Sequence, residues 1–144
     1  MEVLFEERRW IDAVAAHDAG AYAFAHGRIL TVVEAHGISH SIQMIGSVHG
    51  IVAITGGYAV AHRDGITLVS IGEGEAPQQK LLSSVGGHIA VSASPDGRFI
   101  VSATLDNSLN CWRMSDGVLS TMGGYSTKPS SLAWSGKGKW LVTS

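Results

Sequence analysis

GGHIAVSASPDGRFIVSATLDNSLNCWRMSDGVLSTM, residues 86–122, lays out one four-stranded antiparallel sheet. Ile89, Val91 and Ala93 alternate with Ala90, Ser92 and Ser94, the period of a strand with one face turned to a core. Ser94-Pro95-Asp96-Gly97 then supplies a preset φ, a side chain that bonds its own backbone and a residue tolerant of positive φ, so a turn is expected there. Residues 99–103 form a β-branched and aromatic run, and Leu105-Asp106-Asn107 is a second tight reversal before 108–112. Asp116-Gly117 makes a third turn, and 118–122 supplies the fourth strand.

Downstream, Ser135-Gly136-Lys137-Gly138-Lys139-Trp140-Leu141-Val142-Thr143 lines up with Ser94-Pro95-Asp96-Gly97-Arg98-Phe99-Ile100-Val101-Ser102 at an offset of 41 residues. Serine, glycine, a cation, an aromatic, two aliphatics and a hydroxyl recur in order. Upstream, residues 48–54, 58–61 and 66–71 repeat the layout, with Gly56-Gly57 and Arg63-Asp64-Gly65 at the turns. There 73–79 reads as a polar loop and 81–84 as an outer strand. Before them, 13–16, 21–25 and 29–33 are short apolar runs parted by His17-Asp18-Ala19-Gly20 and His26-Gly27. The alanines of 12–25 also permit a helix, but the glycines and Ile29-Leu30-Thr31-Val32-Val33 argue for strands. Residues 1–10 fit an edge strand or a turn of helix equally. A period of about 40 residues with four strands in each is the mark of a propeller blade. The expectation is an all-β chain of about three and a half blades, with units at 11–45, 48–84, 86–122 and 128–144 of one domain.

Composition agrees. Charged residues are 15% of the 144, against about 25% in an average chain, and the 18 glycines suit short strands joined by tight turns. A net charge of −2 with dispersed cations leaves no basic footprint, so nucleic acid is not an expected partner. Cys111 is the single cysteine, which excludes an internal disulfide. The first ten residues lack the apolar core of a signal peptide, and no apolar run reaches bilayer length. A cytoplasmic protein without a membrane partner is the expectation.

Gly97-Arg98-Phe99-Ile100-Val101-Ser102, with Asp106 six residues before Trp112, resembles the WD-repeat β-propeller pattern. The likeness covers 86–122 fully, 128–144 fairly and 48–84 more weakly, with Val69 at the tryptophan position. Across 94–112 and 122–144 the chain looks most like bacterial WD-repeat proteins without an assigned chemistry. The resemblance implies a structural hydrogen-bonded network within the blade, filled here by Ser102, Asp106, Trp112 and, less regularly, His88. His88 stands closer to Pro95 than the family interval, and Trp112-Arg113 replaces the Trp-Asp pair. WD-repeat rings usually hold about seven blades, so the present units resemble an incomplete ring. Open sheet ends invite another chain, and a homodimer through the open edges is expected.

Catalytic signatures are weak. His36 and His40 are the only histidines four apart, so neither a metal site nor a cofactor is expected, and the seven histidines read as solvated turn residues. Gly72-Glu73-Gly74-Glu75 lacks the third glycine of a dinucleotide loop, and Gly136-Lys137-Gly138-Lys139 lacks the upstream glycine of a phosphate loop. No Gly-x-Ser-x-Gly elbow occurs, and Cys111 reads as a small buried residue rather than a nucleophile. By resemblance the leading function is a non-catalytic protein-interaction scaffold; the alternatives are a propeller cut from a larger enzyme and a remnant without independent activity. On the leading reading His62, Arg63, Thr104, Leu105, Tyr125 and Lys128 share a partner-binding face.

Overall fold

Paired turn residues cut the chain into strands of three to six residues. The computed structural model describes residues 10–18, 20–72 and 75–144. In chain order the strands are β1 (Ala13–Ala16), β2 (Tyr22–His26), β3 (Ile29–Val33), β4 (Ser39–Gln43), β5 (Gly50–Ile54), β6 (Gly57–His62), β7 (Gly65–Ser70), β8 (Gln78–Ser83), β9 (His88–Ala93), β10 (Phe99–Thr104), β11 (Leu109–Arg113), β12 (Leu119–Met122), β13 (Leu132–Trp134) and β14 (Leu141–Thr143). They form three four-stranded antiparallel sheets, β1–β4, β5–β8 and β9–β12, and the two-stranded sheet β13–β14. Each sheet is a meander, and the first strands β1, β5, β9 and β13 lie beside one another in sequence. Among the described residues the sheets are arranged as three and a half propeller blades and do not close into a ring.

The alanine-rich stretch 12–25 is two strands rather than a helix, with Ala13 paired to Ala25 and Ala16 to Tyr22. Residues 78 and 79, expected in a loop, belong to β8 because they complete the ladder to Ser70 and Val69. The turn motif at 94–99 is built twice. Ser94 N–H donates to the Phe99 carbonyl, Phe99 N–H returns to Ser94 Oγ, and the pair Ser135–Trp140 makes the same two bonds. Arg98 stacks over Phe99 as Lys139 does over Trp140. The repeat in sequence is therefore a repeat of hydrogen bonds.

The sheets stack face on face. Leu30, Val32, Ile42, Tyr58 and Val60 fill the first interface; Ala59, Ala61, Ile66, Ile100 and Trp112 the second; Val101, Ala103, Leu109 and Trp134 the third. Alternate residues of one strand thus enter different cores: Tyr58 and Val60 point one way from β6, Ala59 and Ala61 the other. The expectation that the first strand of 86–122 has one core face is corrected by the same packing. Val91 and Ala93 join the second core and Ala90 the third. Ala103 pairs with Ala90 but Thr104 with His88, so Ile89 is an extra residue in a β-bulge and also turns to the third core.

Candidate interaction face

The meander sends the turn between second and third strands, and the connection to the next sheet, to the same end of every blade. Gly27-Arg28, Arg63-Asp64 and Leu105-Asp106 are those turns, and 44–49, 84–87 and 123–131 those connections. Over the first three blades they enclose a depression of about 880 Å³ whose walls include Arg28, Ile45, His49, Arg63, Val85 and Leu105. Gly87 sits at φ 67° where the 84–87 connection crosses the Leu105 turn, a left-handed backbone conformation that favours glycine, and a Cβ there would also press the Leu105 side chain aside. Leu105 N–H donates to the carbonyls of Gly86 and Gly87, which pins the two loops together.

Beneath this face lies a set of buried histidines. His88 is fully buried, with Nδ1 2.7 Å from Ser102 Oγ and Nε2 3.2 Å from the Ser84 carbonyl. A carbonyl only accepts, so Nε2 carries the proton and Nδ1 accepts from Ser102. The imidazole is also 5.7 Å from the Trp112 ring, centroid to centroid. In the preceding blade, fully buried His62 accepts from Asp64 N–H at Nδ1 and donates from Nε2 to Thr67 Oγ1 at 2.8 Å. His49 Nδ1 donates to the His88 carbonyl, tying the second blade to the third. Among the described residues no three His, Cys, Asp or Glu groups converge as metal ligands.

Burial holds both His62 and His88 below the ordinary histidine range, since desolvation disfavours the imidazolium. The folded chain keeps them neutral at a pH where the unfolded chain takes up protons. Stability is therefore undiminished by these groups above their unfolded value of 6.5 and falls as pH drops through it. The loss is at most about 1.4 kcal/mol per pH unit per histidine. Urea midpoints measured from pH 7.5 to 5 are expected to fall and His88→Gln to flatten part of the slope; a midpoint constant over that window would contradict the buried neutral pair.

The residues expected to form one network separate into two. Ser102, His88 and Trp112 are together, facing the second blade. Asp106 is not bonded to His88. Its carboxylate accepts from the hydroxyls of Ser108 and Thr104, which hold its pKa below the usual carboxylate range, the Ser108 bond foremost. Asp106→Ala is accordingly expected to cost about 1 kcal/mol, by loosening a turn rather than opening the core. A melt unchanged from wild type would show that the turn does not depend on it.

The expected partner face also needs correction. His62 and Thr104 are fully buried, because each ends a strand with its side chain turned into the sheet stack, so neither can meet a partner. Nor are the histidines all solvated turn residues, since His62 and His88 are core groups. Arg63 and Leu105 do share the depression. Tyr125 and Lys128 lie in the 123–131 connection, Tyr125 half-buried against the third core and Lys128 exposed. Sequence reasoning missed Arg28, Ile45, His49 and Val85. Arg28 was findable, for Gly27-Arg28 occupies the same hairpin position in the first unit that Arg63-Asp64 occupies in the second.

Residues 79–113 match the family model of the WD domain, G-beta repeat. That stretch runs from β8 through β11, so the matched repeat is staggered by one strand against the sheets and spans two blades. No curated protein sequence matches the chain. Among solved structures it is similar to the beta-propeller domain of Myceliophteria thermophila Cps50 (Swd1), with a TM-score of 0.77 and 17% identity over 92% of this chain and 48% of that one. The chain spans about half the length of that neighbour. At this identity the likeness shows the fold alone, a β-propeller.

Proposed function

We propose that this chain is a non-catalytic scaffold whose depression end receives a partner protein. The reading is carried by the convergence of turns and connections from three blades on one 880 Å³ depression, mounted over buried histidines that fix its floor. Loops held by a rigid sheet stack are where binding residues concentrate. WD-repeat propellers are of a protein-interaction scaffold type, which supports the same reading. A photo-crosslinking residue at position 85 is expected to capture a discrete partner protein, and the same residue at 116, on the opposite end, is not. Equal capture from both ends would overturn the proposal. A cytoplasmic setting without nucleic-acid or membrane partners belongs to the same proposal.

We also propose that two copies of this chain associate through the unclosed ring. In the β13–β14 sheet Val142 faces away from the third core and is 64% accessible, Trp140 just before β14 is 63% accessible, and β14 has no outer strand partner among the described residues. An unpaired edge beside exposed apolar side chains favours pairing with another chain. Residues 1–144 are expected to sediment as a dimer or larger species, and Val142→Lys with Trp140→Lys to shift it toward monomer. A compact, cooperative monomer at high concentration would overturn this.

A further inference from the structure

The arginines at the two ends of the sheet stack are treated differently. At the end away from the depression, Arg98 Nε lies 2.6 Å from Asp96 and Arg113 Nη2 lies 2.6 Å from Asp116, so both charges are neutralised within their own turns. At the depression, Arg28 donates from Nη2 to the Ile45 carbonyl at 2.6 Å, which fixes its guanidinium without neutralising it. Neither Arg28 nor Arg63 has an ion-pair partner among the described residues, and both are exposed. Two carboxylates are nearby. Asp64 lines the same depression, and Asp106 stands at its edge beside Gly86 but accepts from Thr104 and Ser108.

Among serines, glycines and His49, the wall around these cations carries three accessible aliphatic side chains: Ile45 is 51%, Leu105 48% and Val85 88% exposed. Each comes from a different loop. An unpaired guanidinium offers planar, forked donors that match a carboxylate, while three exposed aliphatic side chains on one rim offer burial only to another apolar group.

We infer that the depression takes an extended peptide segment of a partner in which acidic side chains flank an aliphatic one. Carboxylates meet Arg28 and Arg63, and the aliphatic side chain seats among Ile45, Val85 and Leu105. The inference rests on the interaction-scaffold reading and adds the partner's chemistry to it. A nucleic acid would bring phosphates to the arginines but nothing to cover the aliphatic rim, and the chain as a whole carries a net charge of −2.

The test is selection from a random peptide library displayed on phage against the immobilised chain, followed by affinity measurement on the synthetic peptides it yields. Enriched sequences are expected to place Glu or Asp around Leu, Ile or Val. Arg28→Glu with Arg63→Glu, both exposed and so tolerated by the fold, is expected to raise Kd at least about tenfold, and added salt to act in the same direction. Arg98→Glu with Arg113→Glu, at the other end, is expected to leave Kd unchanged. Enrichment of basic or uncharged peptides whose binding is lost in Val85→Asp would overturn the acidic preference while leaving the interaction face in place. Peptides insensitive to both the arginine and the Val85 substitutions, or no enrichment at all, would overturn the inference and the scaffold reading's location together.

Discussion

Replacing Trp112 with alanine is expected to cost about 3 to 5 kcal/mol, among the largest effects of any single side chain in this protein. Trp112 is 2% exposed on β11, opposite Ile100 of β10, and fills the interface between the second and third blades with Ala59, Ala61 and Ile66. Its surroundings cannot collapse to fill the gap, because the facing residues of β6 are alanines whose backbone is held by ladders on both sides. The ring also bounds the His88 pocket, so its loss would admit water to the Ser102 bond. Against a total stability of about 5 to 15 kcal/mol, that is enough to leave much of the population unfolded. Urea denaturation followed by far-ultraviolet circular dichroism measures it, with Trp112→Phe as the conservative partner at a smaller cost. A midpoint near wild type for the alanine variant would mean that the blade interface is not built around this ring.

What the sequence made legible was the chain's punctuation. Ser94-Pro95-Asp96-Gly97, Arg63-Asp64-Gly65 and Asp116-Gly117 are local devices whose conformations depend on a few adjacent residues, and the turns lie there. Side-chain direction was less legible. In β6 both faces are packed, so Tyr58 and Val60 look no different in sequence from Ala59 and Ala61, and terminal His62 reads as part of its exposed turn when it is the strand's last buried residue. Asp106 shows the second difficulty. Its spacing to Trp112 fitted a pattern of long-range bonding, but Thr104 and Ser108, two residues away on either side, supply hydroxyls at lower conformational cost and take the carboxylate. The bulge at Ile89 is a third. Nothing in the alternation of 88–94 announces an extra residue, yet it alone sets His88 opposite Thr104 while the strand beyond stays in register. Ile45 and Val85 were missed because the depression is assembled across three blades, and that assembly requires the stacking, which no single repeat contains.

The adjacent glycines 56 and 57 separate two reasons for which a chain keeps this residue, and their substitution is expected to give very different results. Gly56 sits at φ 74° in the two-residue turn between Ile54 and Gly57, and a Cβ there would meet nothing within 4 Å. Gly56→Ala is therefore expected to cost only the left-handed backbone penalty, about 1 kcal/mol. Gly57 opens β6 opposite Ser70, and a Cβ there would lie 1.9 Å from the Val69 carbonyl oxygen. That atom is backbone in the neighbouring strand and cannot swing aside. Accommodating even a methyl group requires β6 and β7 to part at Gly57–Ser70 and Tyr58–Val69, and Tyr58 and Val69 are both 1% exposed in the first core. Glycine within a strand commonly marks such a close approach of backbone. Gly57→Ala is expected to cost roughly 3 kcal/mol, the upper end for overpacking, because the strain falls on the central strand pair of a blade gripped on both faces. Chemical denaturation of the two single variants side by side measures the contrast. Equal small losses would mean that β6 and β7 do not pair in this register, and with them would go the placement of His62 against Thr67 that supports the floor of the depression.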